Sequence, residues 1–155
     1  SEFAKLLNLD PEKQNLDLYS GAGLFSATLS AQFEGAKFLA IESSKQAIAD
    51  GERSSHDLDN LRFHQADVLK FLRSQTAGTF DTIILDPPRS GAANKVVEQL
   101  IRLSPRNMIY VACDPVALAR DLKTLGDAGY KVKAMRAFDI FPHTHHFETV
   151  VALAR

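Results

Sequence analysis

One cysteine and two carboxylates stand at the ends of apolar runs that lie far apart in the sequence. Cys113 closes Met108-Ile109-Tyr110-Val111-Ala112, is followed by Asp114 and Pro115, and is the only cysteine among 155 residues. Asp86 opens "DPPRSG" after the run "DTIIL", and Glu148 follows "FPHTHHF" and opens "ETVVAL". A thiol and a carboxylate at one rim suit covalent catalysis: the thiolate adds to an electrophilic carbon and the carboxylate takes a proton. A lone cysteine at a strand end is equally an ordinary core residue. The elements around Cys113 must therefore decide between the two readings. A helix starting near Val116 would turn its positive end toward Cys113, which favours a thiolate.

Those elements follow from the pattern. Short apolar runs predict strands at Asn15–Tyr19, Ala36–Glu42, Leu61–Ala66, Phe80–Asp86 and Asn107–Cys113. Amphipathic stretches between them predict helices at Leu24–Phe33, Ser44–His56, Asp67–Ser74, Ala92–Leu103 and Val116–Ala128. Such alternation defines βαβ units and a parallel sheet. The run "DTIILDPP" is apolar through its middle, as a central strand covered on both faces would be. The pattern then breaks: "YKVKAMRAFDIF" and "FETVVALAR" follow each other with only "PHTHH" between them, too little for a crossover helix. They must pair antiparallel. The expectation is one α/β domain over residues 1–155, with seven strands and the last one reversed. Reversal puts the start of the last strand where the parallel strands end, so Glu148, Asp86 and Cys113 should share one edge. In open α/β sheets that edge holds the ligand.

A second group points to a nucleoside. In "LDLYSGAGLF", Gly21 and Gly23 let the backbone pass close to a ligand at a helix N-terminus; alternatively they only form a tight strand-to-helix turn. Glu42 ends the next strand, 19 residues beyond Gly23, where an acid can accept from both ribose hydroxyls. The sixth position from Gly21 is Ser26, not the Gly or Ala of a dinucleotide fingerprint. Asp17, just before the loop, would repel a pyrophosphate and attract the ammonium and sulfonium of S-adenosylmethionine. Charge thus favours the methyl donor over NAD. Asp67 is placed to meet an adenine, to cap the following helix, or both. Tyr19 can pack on the cofactor or fill the core.

Composition sets the limits. The net charge is −1, from 18 basic and 19 acidic residues, so a nucleic-acid partner would need another domain or a local basic patch. No apolar stretch reaches the roughly 20 residues of a membrane span. A single cysteine forms no internal disulfide, which fits a reducing, cytoplasmic setting. His143, His145 and His146 do not have the spacing of a closed zinc site, and no metal is expected.

Taken together, "LDLYSGAGLFS", "LDPPRSG", "YVACDPVALARDL" and "FPHTHHFETVVAL" resemble the RNA uracil-5-methyltransferases. The resemblance runs from about Leu16 onward. It implies a Rossmann-like class I S-adenosylmethionine-dependent methyltransferase fold with helices on both faces of the sheet. It also implies formation of 5-methyluridine in tRNA or rRNA. Cys113 matches the family's nucleophile toward C6 of uracil, Glu148 the base that removes the C5 proton, and Asp86 the acid of the Asp-Pro-Pro-Arg motif, which contacts cofactor as well as base. Tyr19, Gly21, Gly23, Glu42 and Asp67 match cofactor contacts. Leu24 departs from the family's asparagine. Only about 15 residues precede the loop, so the family's upstream Phe-Gln-Asn motif and N-terminal RNA-binding domain are not in this sequence. Little activity on RNA is expected of this chain alone. Oligomeric state is not legible. Two alternatives stay open: a base amino-group methyltransferase of the same fold, which needs no thiol, and a cofactor-binding fragment without catalysis of its own.

Overall fold

The computed structural model describes residues 5–139 and 147–155. Its elements run β1 (Gln14–Leu18), α1 (Leu24–Gln32), β2 (Lys37–Glu42), α2 (Lys45–Ser54), β3 (Leu61–Gln65), α3 (Val68–Arg73), β4 (Phe80–Leu85), α4 (Asn94–Leu103), β5 (Asn107–Ala112), α5 (Pro115–Asp127), β6 (Lys131–Asp139) and β7 (Phe147–Ala154). The expected elements are all present, with ends shifted by one or two residues, as helix and strand ends fray. His143, His145 and His146 lie outside the described residues.

The strands form one sheet in the order β3-β2-β1-β4-β5-β7-β6. Pairs β1–β2, β1–β4, β2–β3 and β4–β5 are parallel, while β7 is antiparallel to both β5 and β6. The sequence required antiparallel pairing within the last hairpin. It did not show that β7 enters between β5 and β6.

Alternation along the strands sorts the core into two layers. Leu16, Leu18, Ile83, Leu85, Met108 and Tyr110 pack with α3, α4 and α5 on one face. Phe38, Ala40, Ile84 and Ile109 pack with Leu29 of α1 and with Leu7 on the other. Every residue of β4 is buried, which explains the apolar run Ile83-Ile84-Leu85 through its second half. On α4, Val96, Val97, Leu100 and Leu103 make one buried stripe at helical spacing.

Three helices start on side-chain caps placed right after strand ends. Ser44 accepts from the Ala47 N–H (3.2 Å), Asp67 from Lys70 N–H (2.9 Å), and Asp114 from Val116 N–H (2.8 Å) with Pro115 at the first helical position. These caps fix the loops at the C-terminal edge of the sheet, where the candidate site lies.

Candidate active site

The glycine loop is built on a buried acid. Asp17, the fourth residue of β1, is completely buried, and its Oδ2 accepts the N–H of Ser26 at the start of α1 (3.2 Å). Burial pushes its pKa up to about 7; the Ser26 bonds pull it down and nearby Asp86 pushes it up again. Its other oxygen, Oδ1, is buried with no hydrogen-bond partner. Asp17 therefore lies beside the glycine loop, as its place in the sequence predicts, but beneath it and fully buried.

The two glycines do different work. Gly21 has φ +55° and a side chain there would meet nothing within 4 Å, so its backbone faces open space. Gly23 has φ +78° and is buried; a Cβ would lie 2.7 Å from the Phe63 ring, so it serves close packing of loop against strand. Tyr19 also takes a left-handed conformation, at φ +57°. A non-glycine residue there is held at a cost of about 1–2 kcal/mol.

Glu42 ties the loop to the next helix. One carboxylate oxygen accepts from Gly21 N–H (3.0 Å), the other from Ser44 N–H (2.7 Å) and the Ser43 hydroxyl (3.3 Å). A carboxylate has about four acceptor sites, and Glu42 also borders a cavity of about 300 Å³ with Tyr19, Asp67, Leu69, Ala93 and Val96. Asp67 thus caps α3 and lines this cavity at once. Burial, and after it the charges of Asp67 and Asp121, push the Tyr19 hydroxyl's pKa up.

Gly51, inside α2, was not singled out from the sequence, where it only weakens a helix. A Cβ on it would lie 2.6 Å from the Ala22 carbonyl oxygen and 2.6 Å from Phe63. Gly51→Ala should gain up to about 1 kcal/mol of helix propensity, yet displace the glycine loop. Calorimetric titration should find S-adenosylhomocysteine bound at least about tenfold more weakly, the cost of losing one or two aligned hydrogen bonds. Unchanged affinity would show that α2 moves instead.

The second group gathers around the ends of β4, β5 and β7. Ala112 faces Thr149 across β5 and β7, so Cys113 and Glu148 are neighbours one step further toward the rim. Asp86 is half-buried; burial, then the charge of Glu148, raise its pKa to about 6. Cys113 is exposed and shares a crevice with Pro87, Pro88, Arg89, Ala117 and Leu118. Asp86, Cys113 and Glu148 thus come to one edge. The expected help from the α5 N-terminus is changed by Asp114, whose carboxylate already occupies the Val116 and Ala117 N–H groups.

Sequence reasoning missed what holds the Asp-Pro-Pro-Arg loop. Asp121 of α5, 1 % exposed, accepts the Tyr110 hydroxyl at 2.5 Å and the Ala92 N–H at 3.0 Å. Arg120 reaches the Ser90 carbonyl at 2.9 Å. No motif spacing marks these partners, which lie 11 to 30 residues apart.

This strand order, with a glycine loop after β1, an acid after β2 and a reversed β7, defines the class I S-adenosylmethionine-dependent methyltransferase fold. Solved structures agree. A precorrin-6y C5,15-methyltransferase from Geobacter metallireducens, 15% identical, superposes with a TM-score of 0.73 over 98% of this chain and 86% of that one. A model of the tRNA (uracil-5-)-methyltransferase family matches residues 3–155, and the chain belongs to that family. The tRNA (uracil-54, C5)-methyltransferase of Pyrococcus abyssi, solved with S-adenosyl-L-homocysteine, is 33% identical with a TM-score of 0.81, over 99% of this chain and 36% of that one. RNA methyltransferases of uncharacterised specificity from Streptomyces avermitilis and Thermotoga maritima are 47% and 44% identical, over 89% and 90% of this chain. The chain spans 32% of the length of each.

Proposed function

We propose that this domain methylates C5 of a uridine in RNA, with S-adenosylmethionine as the donor and Cys113 as a covalent nucleophile. The observation that carries this reading is the β5–β7 register, whose last pair, Ala112–Thr149, brings the exposed Cys113 and Glu148 to the same edge of the sheet, in a chain of the uracil-5-methyltransferase family.

The residues present fit the donor. Gly21 leaves open backbone, Glu42 keeps free acceptor capacity toward a nucleoside-sized cavity, and Asp67 lines that cavity beside the Tyr19 ring. The partnerless Oδ1 of Asp17, with Asp86 nearby, calls for a cation. When bound, S-adenosylmethionine supplies an electrophilic methyl group on a positively charged sulfur.

The chain's own residues do the rest. The Cys113 thiolate adds to C6 of uracil, forming an S–C6 bond and moving electron density to the ring as an enolate. C5, otherwise a poor nucleophile, becomes able to accept the methyl group. Glu148 then removes the C5 proton, the S–C6 bond breaks, and the thiolate leaves with the ring restored. The target base must leave its stack to reach the crevice. Contacts that bring the RNA itself belong to the whole protein, of which a further RNA-binding domain is the proposed partner.

RNA containing 5-fluorouridine tests this directly. Fluorine at C5 cannot be removed by Glu148, so a covalent complex should accumulate and survive denaturation, and Cys113→Ala should not form it. A trapped complex that persists without Cys113 would overturn the reading. A base amino-group methyltransferase would form no such complex and would keep its activity in Cys113→Ala. For the donor site, Glu42→Ala should weaken S-adenosylhomocysteine about 10- to 100-fold, since charge-assisted hydrogen bonds are worth about 1.5–3 kcal/mol. NAD should show no binding, and a less than twofold effect of the substitution would remove Glu42 from the donor site.

A further inference from the structure

The loop 86–93 carries Asp86 at its start and lays Pro87, Pro88 and Arg89 against Cys113. Its own backbone contributes no regular ladder, so something else must set its position. Three consecutive residues are held from one side. Arg120 takes the Ser90 carbonyl (2.9 Å) while its Nε binds Asp121 Oδ1 (3.2 Å). Gly91 sits at φ +83°, where a Cβ would lie 2.7 Å from Arg120 and 2.9 Å from Asp121. The Ala92 N–H is shared between Asp121 (3.0 Å) and the Tyr110 oxygen (3.2 Å).

We propose that Asp121, acting with Tyr110 on the Ala92 N–H, is a positioning residue that sets the Asp-Pro-Pro-Arg loop against Cys113. Tyr110 stands on β5, the strand that ends one residue before Cys113, and Asp121 stands on α5, which starts two residues beyond Cys113. The loop is thereby registered to the two elements that flank the thiol, β5 and α5, while its last residue, Ala93, borders the donor cavity. Burial, and then the bond to Asp121, keep the Tyr110 hydroxyl protonated, so it always donates to Asp121. Both side chains are sealed in the core, so neither touches substrate.

The consequence for catalysis rests on the reading of Cys113 as nucleophile, but the geometry can be measured without it. As Cys113 is the sole cysteine, its alkylation rate with iodoacetamide reports the position of the loop over it. Asp121→Leu removes both acceptors at similar volume, whereas Asp121→Asn keeps a carbonyl oxygen that can take the Tyr110 hydroxyl or the Ala92 N–H. In Asp121→Leu the alkylation rate should change at least fivefold, with S-adenosylhomocysteine affinity within twofold of the parent. Asp121→Asn should return alkylation to within twofold. Tyr110→Phe, which leaves Asp121 and Ala92 paired, should give a two- to fivefold change and serves if the leucine variant does not fold. A folded leucine variant with unchanged alkylation overturns the proposal. So does a loss of cofactor affinity larger than the change in alkylation, the sign of general structural damage, since only Ala93 of the loop borders the donor cavity. In 5-fluorouridine trapping, Asp121→Leu should form adduct at least tenfold more slowly. Absence of adduct from the parent protein, with alkylation still responsive, would sink the nucleophile reading and leave the positioning role standing.

Discussion

In the full-length protein, the proposed mechanism predicts that Cys113→Ala abolishes uridine methylation, by about 10⁴-fold or more, because the described residues of the crevice offer no second thiol. The same variant should bind S-adenosylhomocysteine within twofold of the parent. Its thiol lies just beyond the end of β5, whereas the donor cavity is bounded by the ends of β1 and β2, by α3 and by the start of α4. The split between rate and binding is the informative part. Loss of both would mean that Cys113 supports the fold. Cys113→Ser should fail almost as completely, since a hydroxyl is a far weaker nucleophile at neutral pH. Methyl transfer from labelled donor to uridine-containing RNA, followed beside calorimetric binding, decides among these outcomes.

Asp17→Asn is expected to remove an ionic penalty of about 4 kcal/mol at pH 8, about three pKa units at 1.36 kcal/mol each, less about 1–3 kcal/mol for an amide N–H buried without a partner at the Oδ1 position. The sign follows from the raised value. Between about pH 4, where the unfolded chain releases this proton, and about pH 7, where the folded chain does, folding retains a proton. Stability therefore falls as pH rises through that window, and the penalty is fully present above it. Asparagine keeps an acceptor for the Ser26 N–H and removes the charge. Urea unfolding at pH 5 and pH 8 tests this: the change in stability should be more favourable at pH 8 than at pH 5. A uniform gain at both pH values would refute the ionic origin.

The same substitution should cost function. A cationic donor offsets the buried charge, so Asp17→Asn should weaken S-adenosylmethionine about tenfold relative to the uncharged S-adenosylhomocysteine at pH 8. Equal weakening of both, or of neither, would show that Asp17 serves only the loop. Asp86, raised to about 6 by burial and by Glu148, adds to the same preference as it ionises. In the unaltered protein the preference for the charged donor should therefore grow between pH 5.5 and pH 8.

Much of this architecture was legible because strand and helix signals agreed with their boundaries. β4 reads as a covered strand from its apolar run, and Ser44, Asp67 and Asp114 announce helix starts. The common edge of Asp86, Cys113 and Glu148 followed from one inference, the reversal of the last strand. Side-chain direction was harder. The charge of Asp17 was legible, but not that it is buried beneath the glycine loop with Ser26 on one of its oxygens. Gly23 was legible as a loop glycine and Gly51 carried no signal at all, and only packing shows that both make room at Phe63. The Tyr110–Asp121 bond joins a strand to a helix through the core, where no sequence spacing reports it.

The place of β7 in the sheet has a consequence in time. β7 is made after both of the strands that flank it, and it must enter between them. While the chain emerges from the ribosome, β5 therefore waits with an unpaired edge, and Cys113 waits without Glu148. The thiol is in place many residues before the base that would release its adduct. A nascent domain can then assemble a donor cavity, whose walls all come from residues before Ser104, well before it can complete a turnover. Long-range closure of this kind is also slow. Insertion of the final hairpin strand is thus the step that would turn a nucleoside-binding sheet into a working enzyme.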